Sequence, residues 1–259
     1  IIKPILRGRD IKRYKAEFAD LWLIASHNGY KTSEGNAVVP INLQRNYPVI
    51  YQHLDDVGKA IRNGNIKTKG KGLLERDDQG SHWSNLRDCA YYKEFEIDKI
   101  VWLEMSPTSN FTYDTKKYFV LNTAYILTGK SLKYLTAVIN SKVLDFYFPM
   151  ISTDVQGQTR RYIKQYVELL PVPQIASQSQ LPFETLVDCI LFCKERNLKQ
   201  EAGFFESVID GMVYELYFPD EIKAADGEVL KHIAKLPEFK NDWSDEKKLA
   251  VIEKTYKEL

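Results

Sequence analysis

The stretch Ser81–Met105, SHWSNLRDCAYYKEFEIDKIVWLEM, decides how we interpret the rest of the chain, because it joins two kinds of residue. Its second half, Lys99–Met105 (KIVWLEM), is β-branched and aromatic, which predicts a buried strand. Its first half holds side chains that donate hydrogen bonds, and a flat indole ring beside a guanidinium suits sugar-phosphate and base edges. We therefore predict a core strand preceded by a polar loop that contacts nucleic acid. Local chemistry alone also allows an ordinary surface loop with a half-buried tryptophan.

The composition is that of a globular protein. The chain has 259 residues, of which 44% are hydrophobic and 27% charged. No apolar run is long enough to span a membrane, and no signal peptide is evident. The three cysteines are interpreted as reduced thiols, so we expect a cytoplasmic protein. Because the chain begins at Ile1 rather than Met, we expect it to be part of a longer protein.

The charges are unevenly distributed along the chain. The net charge is +1, but residues 1–170 carry 25 Lys and Arg against 18 Asp and Glu, whereas residues 171–259 carry 11 against 17. A basic first part indicates that this part meets a polyanion. The excess is modest, so it favours a module that reads DNA with help from elsewhere over a stand-alone non-specific binder.

Hydrophobic periodicity and turn residues predict an α+β fold. We predict strands at 20–26, 99–105, 117–121, 124–128 and 166–173, and helices at 47–62, 131–150, 183–197, 202–218, 220–236 and 244–259. Residues 108–117 are predicted as a polar turn, and 174–181, rich in Gln and Ser, as a linker. This pattern divides the chain into residues 1–173, with strands and helices, and a helical region, 174–259.

Catalytic signatures are missing from the sequence. It has no glycine-rich phosphate loop and no Gly-x-Ser-x-Gly elbow. The four histidines lack the spacing of metal ligands, and the acidic pairs Asp55-Asp56 and Asp77-Asp78 are interpreted as solvated surface carboxylates. We therefore predict no catalytic residue, no metal site and no cofactor site in this chain.

Several segments, taken in order, carry a likeness to a known family. They are Lys3–Ile11 (KPILRGRDI), Tyr47-Pro48 at the start of a helix, Trp83 through Leu86-Arg87 and Phe95 to Trp102, Tyr134–Lys142 (YLTAVINSK) and Leu169–Pro173 (LLPVP). This order resembles the target-recognition (specificity) domain of TaqI-type adenine-N6 DNA methyltransferases, above all those of single-chain type IIG restriction-modification enzymes. The resemblance covers about residues 2–173. Phe205–Tyr217 is similar to the helical region that follows the domain in such enzymes.

The resemblance implies a mixed, twisted β-sheet with packing helices, followed by a small α-helical region. It implies double-stranded DNA and a methyltransferase domain of the same chain as partners. The parent enzyme would bind S-adenosylmethionine, and Mg²⁺ if it also cleaves DNA. This chain departs from the family pattern by lacking the Asn-Pro-Pro-Tyr tetrapeptide and the cofactor glycine motif, so we expect it to recognise DNA without methylating or cutting it. The alternative is a docking module whose apolar helical faces in 171–259 bind a partner subunit.

Candidate DNA contacts are chosen for the side chains that phosphates and base edges accept. Arginine pairs bidentately with guanine or phosphate, and lysine contacts phosphate as a point charge. Arg87 and its polar neighbours are assigned to base edges, the lysines to phosphates, and the glycine between Arg7 and Arg9 to close approach of the backbone to a ligand. For each residue the alternative is a solvated side chain. The candidates are Arg7, Arg9, Lys67, Lys69, Lys71, Trp83, Asn85, Arg87, Gln158, Arg160 and Arg161.

Overall fold

The structure is a computed structural model that describes residues 1–32, 34–233 and 236–259. It confirms the α+β class. The strands are β1 Ile2–Leu6, β2 Ile11–Lys12, β3 Lys15–Ala16, β4 Trp22–Ile24, β5 Tyr30–Lys31, β6 Ala37–Val38, β7 Lys99–Leu103, β8 Met105–Ser106, β9 Phe111–Asp114, β10 Phe119–Val120, β11 Ala124–Leu127, β12 Asp154–Gln156 and β13 Thr159–Arg161. The helices are α1 Leu43–Asn46, α2 Pro48–Arg62, α3 Leu132–Ile139, α4 Lys142–Ile151, α5 Lys164–Val167, α6 Ser177–Glu195, α7 Lys199–Tyr217, α8 Pro219–Ala224, α9 Leu230–Ile233 and α10 Asp245–Glu258, with 3-10 helices at Gly8–Asp10 and Tyr92–Glu96.

The residues group into two compact units. Unit 1 contains Ile1–Ile5 and Asp20–Ile97, and unit 2 contains Leu6–Ala19 and Asp98–Leu259. The bounds of these units do not coincide with the predicted domain boundary at residue 173. That boundary separates a DNA-recognition region from a helical region, and it stays a prediction. The strand pairs whose register is described are antiparallel, and they belong to several small sheets rather than to one large mixed sheet.

Unit 1 is built around α2 and a long irregular segment. The helix begins as predicted, with Pro48 in its first turn, where a missing N–H costs nothing. It ends at Arg62 with Asn63 as its C-cap, and Gly64 follows with a φ of +77° that glycine adopts without strain. Gly58 lies on the face of α2 that meets this segment: a Cβ there would come within 2.6 Å of Leu74. The segment after the helix is therefore packed tightly against it.

The predicted strand at 99–105 is confirmed as β7, the central strand of a sheet in unit 2. It lies between β9 and β11 and pairs with both in antiparallel register. Ile100 and Trp102 belong to the large hydrophobic core, whereas Val101 belongs to a smaller core with Leu6 and Ile11. Both faces of β7 are therefore buried, which explains why its sequence is apolar throughout instead of alternating.

The C-terminal helices share the large core with this sheet. Phe183 and Ile190 of α6 and Phe205 and Met212 of α7 are fully buried in it. The predicted linker is partly wrong, because α6 already begins at Ser177. These buried faces of α6 and α7 are thus occupied within unit 2, and docking of a partner by the rest of residues 171–259 stays a prediction.

The single helix predicted over 131–150 is wrong, since it breaks into α3 and α4. Asn140, at the break, is fully buried and replaces a strand partner: its Oδ1 accepts from the N–H of Phe111 at 3.1 Å and its Nδ2 donates to the carbonyl of Phe111 at 2.9 Å. Ser141 then caps α4 by accepting from the N–H of Leu144. The Asn-Ser pair of the family-like segment is therefore a structural joint between helix and sheet.

Two other predictions in this region are also wrong. Residues 108–117, predicted as a turn, contain the strand β9. The sequence does not indicate this strand, because only Phe111 and Tyr113 in it are apolar. Residues 166–173, predicted as a strand, lie partly in α5, and Pro171 and Pro173 cannot donate to a sheet. In the described part of the chain, no helix combines the length and apolarity required to cross a membrane.

Candidate nucleic-acid interface

The predicted DNA contacts fall into two groups. Lys67, Lys69, Lys71, Trp83, Asn85 and Arg87 lie in unit 1, and Arg7, Arg9, Gln158, Arg160 and Arg161 lie in unit 2. Within each group the structure separates side chains that are held by the protein from side chains that are free to meet a ligand. Only the free side chains can contact DNA without first breaking a hydrogen bond or ion pair within the protein.

The irregular segment of unit 1 is organised by Arg76, which sequence reasoning missed. Its Nη2 donates to the carbonyl of Trp83 at 2.9 Å and to the carbonyl of Asn85. Its Nε is buried and has no partner among the described residues. The guanidinium of Arg76 therefore holds the backbone at residues 83 and 85. These hydrogen bonds give the segment a defined shape, although the segment contains few regular elements. No local sequence signal distinguishes Arg76 from a surface arginine.

Asn85 is a structural residue, contrary to its prediction as a DNA contact. Its side chain is 2% exposed, and Nδ2 lies within hydrogen-bond distance of Ser26 Oγ (3.2 Å) and the carbonyls of His27 (3.2 Å) and Ile41 (2.8 Å). A buried amide with its donors used in this way cannot also serve a base edge. Its role is to join the segment around residue 85 to residues 26–41.

Trp83 is half-buried, as expected if residues 81–87 form an ordinary surface loop. Its ring packs against Tyr51 of α2, with ring centroids 5.4 Å apart, and against His82 at the same distance. The indole thus anchors the segment to α2. His82, in contrast, is exposed.

The cations in the last turn of α2 and in the segment after it differ in how they are paired. Lys59 and Arg62 make ion pairs at 2.5 Å with Asp55 and Glu75, and Lys71 pairs with the exposed Asp77. Lys67, Lys69 and Arg87 are exposed and have no hydrogen-bond or ion-pair partner among the described residues. These three predicted contacts can reach phosphate directly, and the side chains of Lys31 and Arg45 in unit 1 are likewise exposed and unpaired among the described residues.

Arg7 is held by a buried carboxylate. Its Nε and Nη2 donate to Asp10 at 2.9 and 2.7 Å, and Asp10 is 5% exposed. Hydrogen bonds from Arg7 lower the pKa of Asp10 below its ordinary value of 3.8. Gly8 between them does not admit a ligand, because a Cβ on it would lie 2.4 Å from the side chain of Leu103. Of the two arginines, Arg9 is the one that is exposed and has no hydrogen-bond or ion-pair partner among the described residues.

Replacing Arg7 with Ala is expected to lower the melting temperature, and the loss should be larger at neutral than at acid pH. The lowered pKa means that Asp10 contributes stability above its unfolded pKa near 3.8, and this contribution disappears as the pH falls through the folded pKa. Thermal denaturation of wild type and Arg7→Ala between neutral and acid pH measures it, with Arg9→Ala as the matched control. Equal melting temperatures at pH 7 for Arg7→Ala and wild type would contradict the assignment.

The candidates Gln158, Arg160 and Arg161 lie in a β-hairpin formed by β12 and β13. Its two-residue turn has Gly157 at φ +55° and Gln158 at φ +70°, the pattern of a type I′ turn. Arg161 is paired with Glu104 at 2.6 Å, and Arg160 lies 3.9 Å from Asp154. The exposed Gln158 at the tip is the candidate of this hairpin that remains free among the described residues.

Unit 1 also contains a polar cleft that no prediction identified. It has a volume of about 300 Å³, and residues 40–44 and 81–85 form its walls. Exposed Gln44 and His82 line it, and buried Leu43 and Asn85 support them. Gln44 gave no signal in the sequence, because a lone glutamine between two predicted elements is usually solvated.

The comparisons with known proteins agree with the sequence resemblance. The family model of the TaqI-like C-terminal specificity domain matches residues 3–172, well over half of the chain. The chain belongs to this family. A similar protein is the type II methyltransferase M.BstVI of Geobacillus stearothermophilus, 24% identical over 219 residues, which cover 84% of this chain and 34% of the relative. The chain spans about a third of the length of this curated relative.

Membership of the TaqI-like specificity domains gives the chain the role of a specificity domain in restriction-modification. The match ends at residue 172, close to the predicted functional boundary. The helices α6 and α7 lie beyond it and yet complete the core of unit 2. The TaqI-like specificity domain of this chain is therefore packed together with the helical region that follows it.

Proposed function

We propose that this chain selects the DNA sequence on which an adenine-N6 methyltransferase acts, as one part of that enzyme. The observation that carries the proposal is the family match over residues 3–172. It is supported by the relative, which is a type II methyltransferase, and by the free cations Arg9, Lys67, Lys69 and Arg87. We place the parent enzyme in the cytoplasm, with double-stranded DNA as its substrate.

The physical task of such a domain is to offset the cost of base flipping at the correct site. Extruding a base from the stack costs a few kcal/mol. Phosphate contacts supply affinity and set the register on the duplex, and base contacts discriminate by about 1–3 kcal/mol each. Side chains that are free, on segments held rigidly by groups such as Arg76 and Asn85, can supply both kinds of contact.

We propose that the cofactors of the parent enzyme bind outside this chain, which lacks the Asn-Pro-Pro-Tyr tetrapeptide and the cofactor glycine motif. The lining of the unit 1 cleft contains no carboxylate to bind the amino group or the ribose of S-adenosylmethionine. Across residues 1–32, 34–233 and 236–259, no group of three or more His, Cys, Asp or Glu is placed to hold a metal ion. We therefore assign S-adenosylmethionine to a methyltransferase domain of the parent, and Mg²⁺, if the parent cleaves DNA, to a nuclease domain.

The proposal is tested by fluorescence-anisotropy titration of a labelled duplex with the chain at several salt concentrations. Four phosphate contacts predict that the logarithm of the association constant falls with the logarithm of salt concentration with a slope of about −3 to −4. Dissociation constants for arbitrary sequence should lie near 10⁻⁴–10⁻⁶ M at physiological salt. Affinity that is negligible at low salt, or that does not depend on salt, would overturn the proposal.

A further inference from the structure

The cleft of unit 1 presents a specific set of hydrogen-bonding groups. Gln44 lies on its wall with its amide exposed, and the side chain has no partner among the described residues. The amide offers one donor and one acceptor side by side. The neighbouring Leu43 is 1% exposed, so it fixes α1 in the unit and leaves Gln44 facing the cleft.

His82 adds a donor to the opposite wall. Its Nδ1 accepts the backbone N–H of Ser84 at 3.2 Å and lies 2.8 Å from the hydroxyl of Ser84. A backbone N–H can only donate, so Nδ1 must be the acceptor and the neutral ring carries its hydrogen on Nε2. His82 therefore presents Nε2–H, with the ring orientation fixed by Ser84, which is 7% exposed.

The two walls are held at a fixed separation. Asn85, from the second wall, donates to the carbonyl of Ile41 in the first wall at 2.8 Å. Arg76 holds the backbone of the second wall at residues 83 and 85. Base discrimination needs groups that do not rearrange to suit the wrong base, because a mobile side chain would satisfy either one.

The donors and acceptors of the cleft match one type of base pair. In the major groove an A·T pair presents N7 as acceptor, N6 as donor and the thymine O4 as acceptor. The amide of Gln44 supplies one donor and one acceptor and Nε2–H of His82 supplies a second donor, a set that is complementary to this edge. A G·C pair presents two acceptors and then a donor, which this set would satisfy only in part.

We propose that this cleft reads an A·T base pair of the target site, with Gln44 contacting adenine N6 and N7 and His82 donating to thymine O4. The proposal rests on the proposed function, since it assumes that the chain binds duplex DNA. Asn85 and Arg76 are positioning residues that keep the two readers in place.

The test is selection of a duplex library with a randomised central segment on the immobilised 259-residue chain, followed by sequencing of the retained DNA. Wild type should enrich a motif that includes A·T at a defined position. Gln44→Ala should reduce the preference at that position by about 5- to 150-fold, and His82→Ala should relax the same position. Gln44→Glu should shift the preference towards cytosine, because a carboxylate accepts from cytosine N4 and cannot donate to N7.

Matched controls are Gln52→Ala and His53→Ala, which remove the same side chains from exposed positions on α2. The Gln52 amide donates to Asp56, and neither residue lines the cleft, so the enriched motif should stay unchanged. An enriched motif that Gln44→Ala leaves unaltered would overturn the inference and leave the proposed function intact, whereas wild-type retention without any base preference would contradict both. Failure of wild type to retain the library at low salt would instead overturn the proposed function.

Discussion

Replacing Lys67, Lys69 and Arg87 together with Gln is expected to weaken binding of an arbitrary duplex by about 500-fold at 0.1 M salt. Each cation that neutralises a phosphate releases about 0.9 of a counterion, so three lost contacts remove close to three decades of affinity at that salt concentration. The slope of the logarithm of the association constant against the logarithm of salt concentration should become less steep by about 2.7. The anisotropy titration measures both quantities.

The matched control replaces Lys199, Lys223 and Lys257 with Gln. These lysines are exposed, have no partner among the described residues and lie in the acidic helical region. The control changes the net charge by the same amount, so it separates local contact from the overall field. Equal losses of affinity for both triple variants would show that the segment after α2 does not contact the phosphates.

Replacing Lys99 with Met is expected to lower the free energy of unfolding by about 3–5 kcal/mol. Lys99 and Asp114 lie opposite each other on β7 and β9 and form an ion pair at 2.7 Å, with side chains 0% and 1% exposed. Asp114 also accepts the N–H groups of Lys116 and Tyr118. Removing the lysine leaves a carboxylate buried without its cation, and this desolvated charge is the source of the large cost.

Denaturant unfolding of Lys99→Met measures this loss. The matched control is Lys71→Met, which removes a lysine from a pair whose aspartate, Asp77, is 80% exposed, and it should cost less than about 1 kcal/mol. The double variant Lys99→Met with Asp114→Asn should recover part of the loss, because the buried position then carries no charge, although the amide oxygen can accept from only one of the two backbone N–H groups. Equal costs for Lys99→Met and Lys71→Met would contradict the role of the buried pair.

Local patterns allowed part of this fold to be predicted. The start of α2 at Pro48 follows from the fixed φ of proline, and β7 follows from a run of β-branched and aromatic residues. The break between α3 and α4 could not be predicted, because Asn140 leaves the helical pattern only to bond Phe111, a residue distant in sequence. The strand β9 was missed for a related reason, since its burial comes from pairing with β7 rather than from its own composition.

The candidate site was predictable only as a set of residue types. Arg7 and Arg87 are equivalent in the sequence, yet Arg7 is engaged by Asp10 and Arg87 is free among the described residues. Asn85 was chosen because it can donate, and the structure shows that its donors are used inside unit 1. Gln44 was overlooked because its place in a cleft depends on residues 81–85, about forty positions away.

The sequence by itself determined the family, the α+β class, the position of α2 and β7, and the chemistry available for contacting DNA. These properties depend on residue type and on spacing within a few turns of chain, which the sequence contains in full. Only the tertiary structure decided which polar side chains remain available to a ligand. The physical reason is that a buried polar group must be hydrogen-bonded, and its partner is supplied by whichever distant segment folds against it.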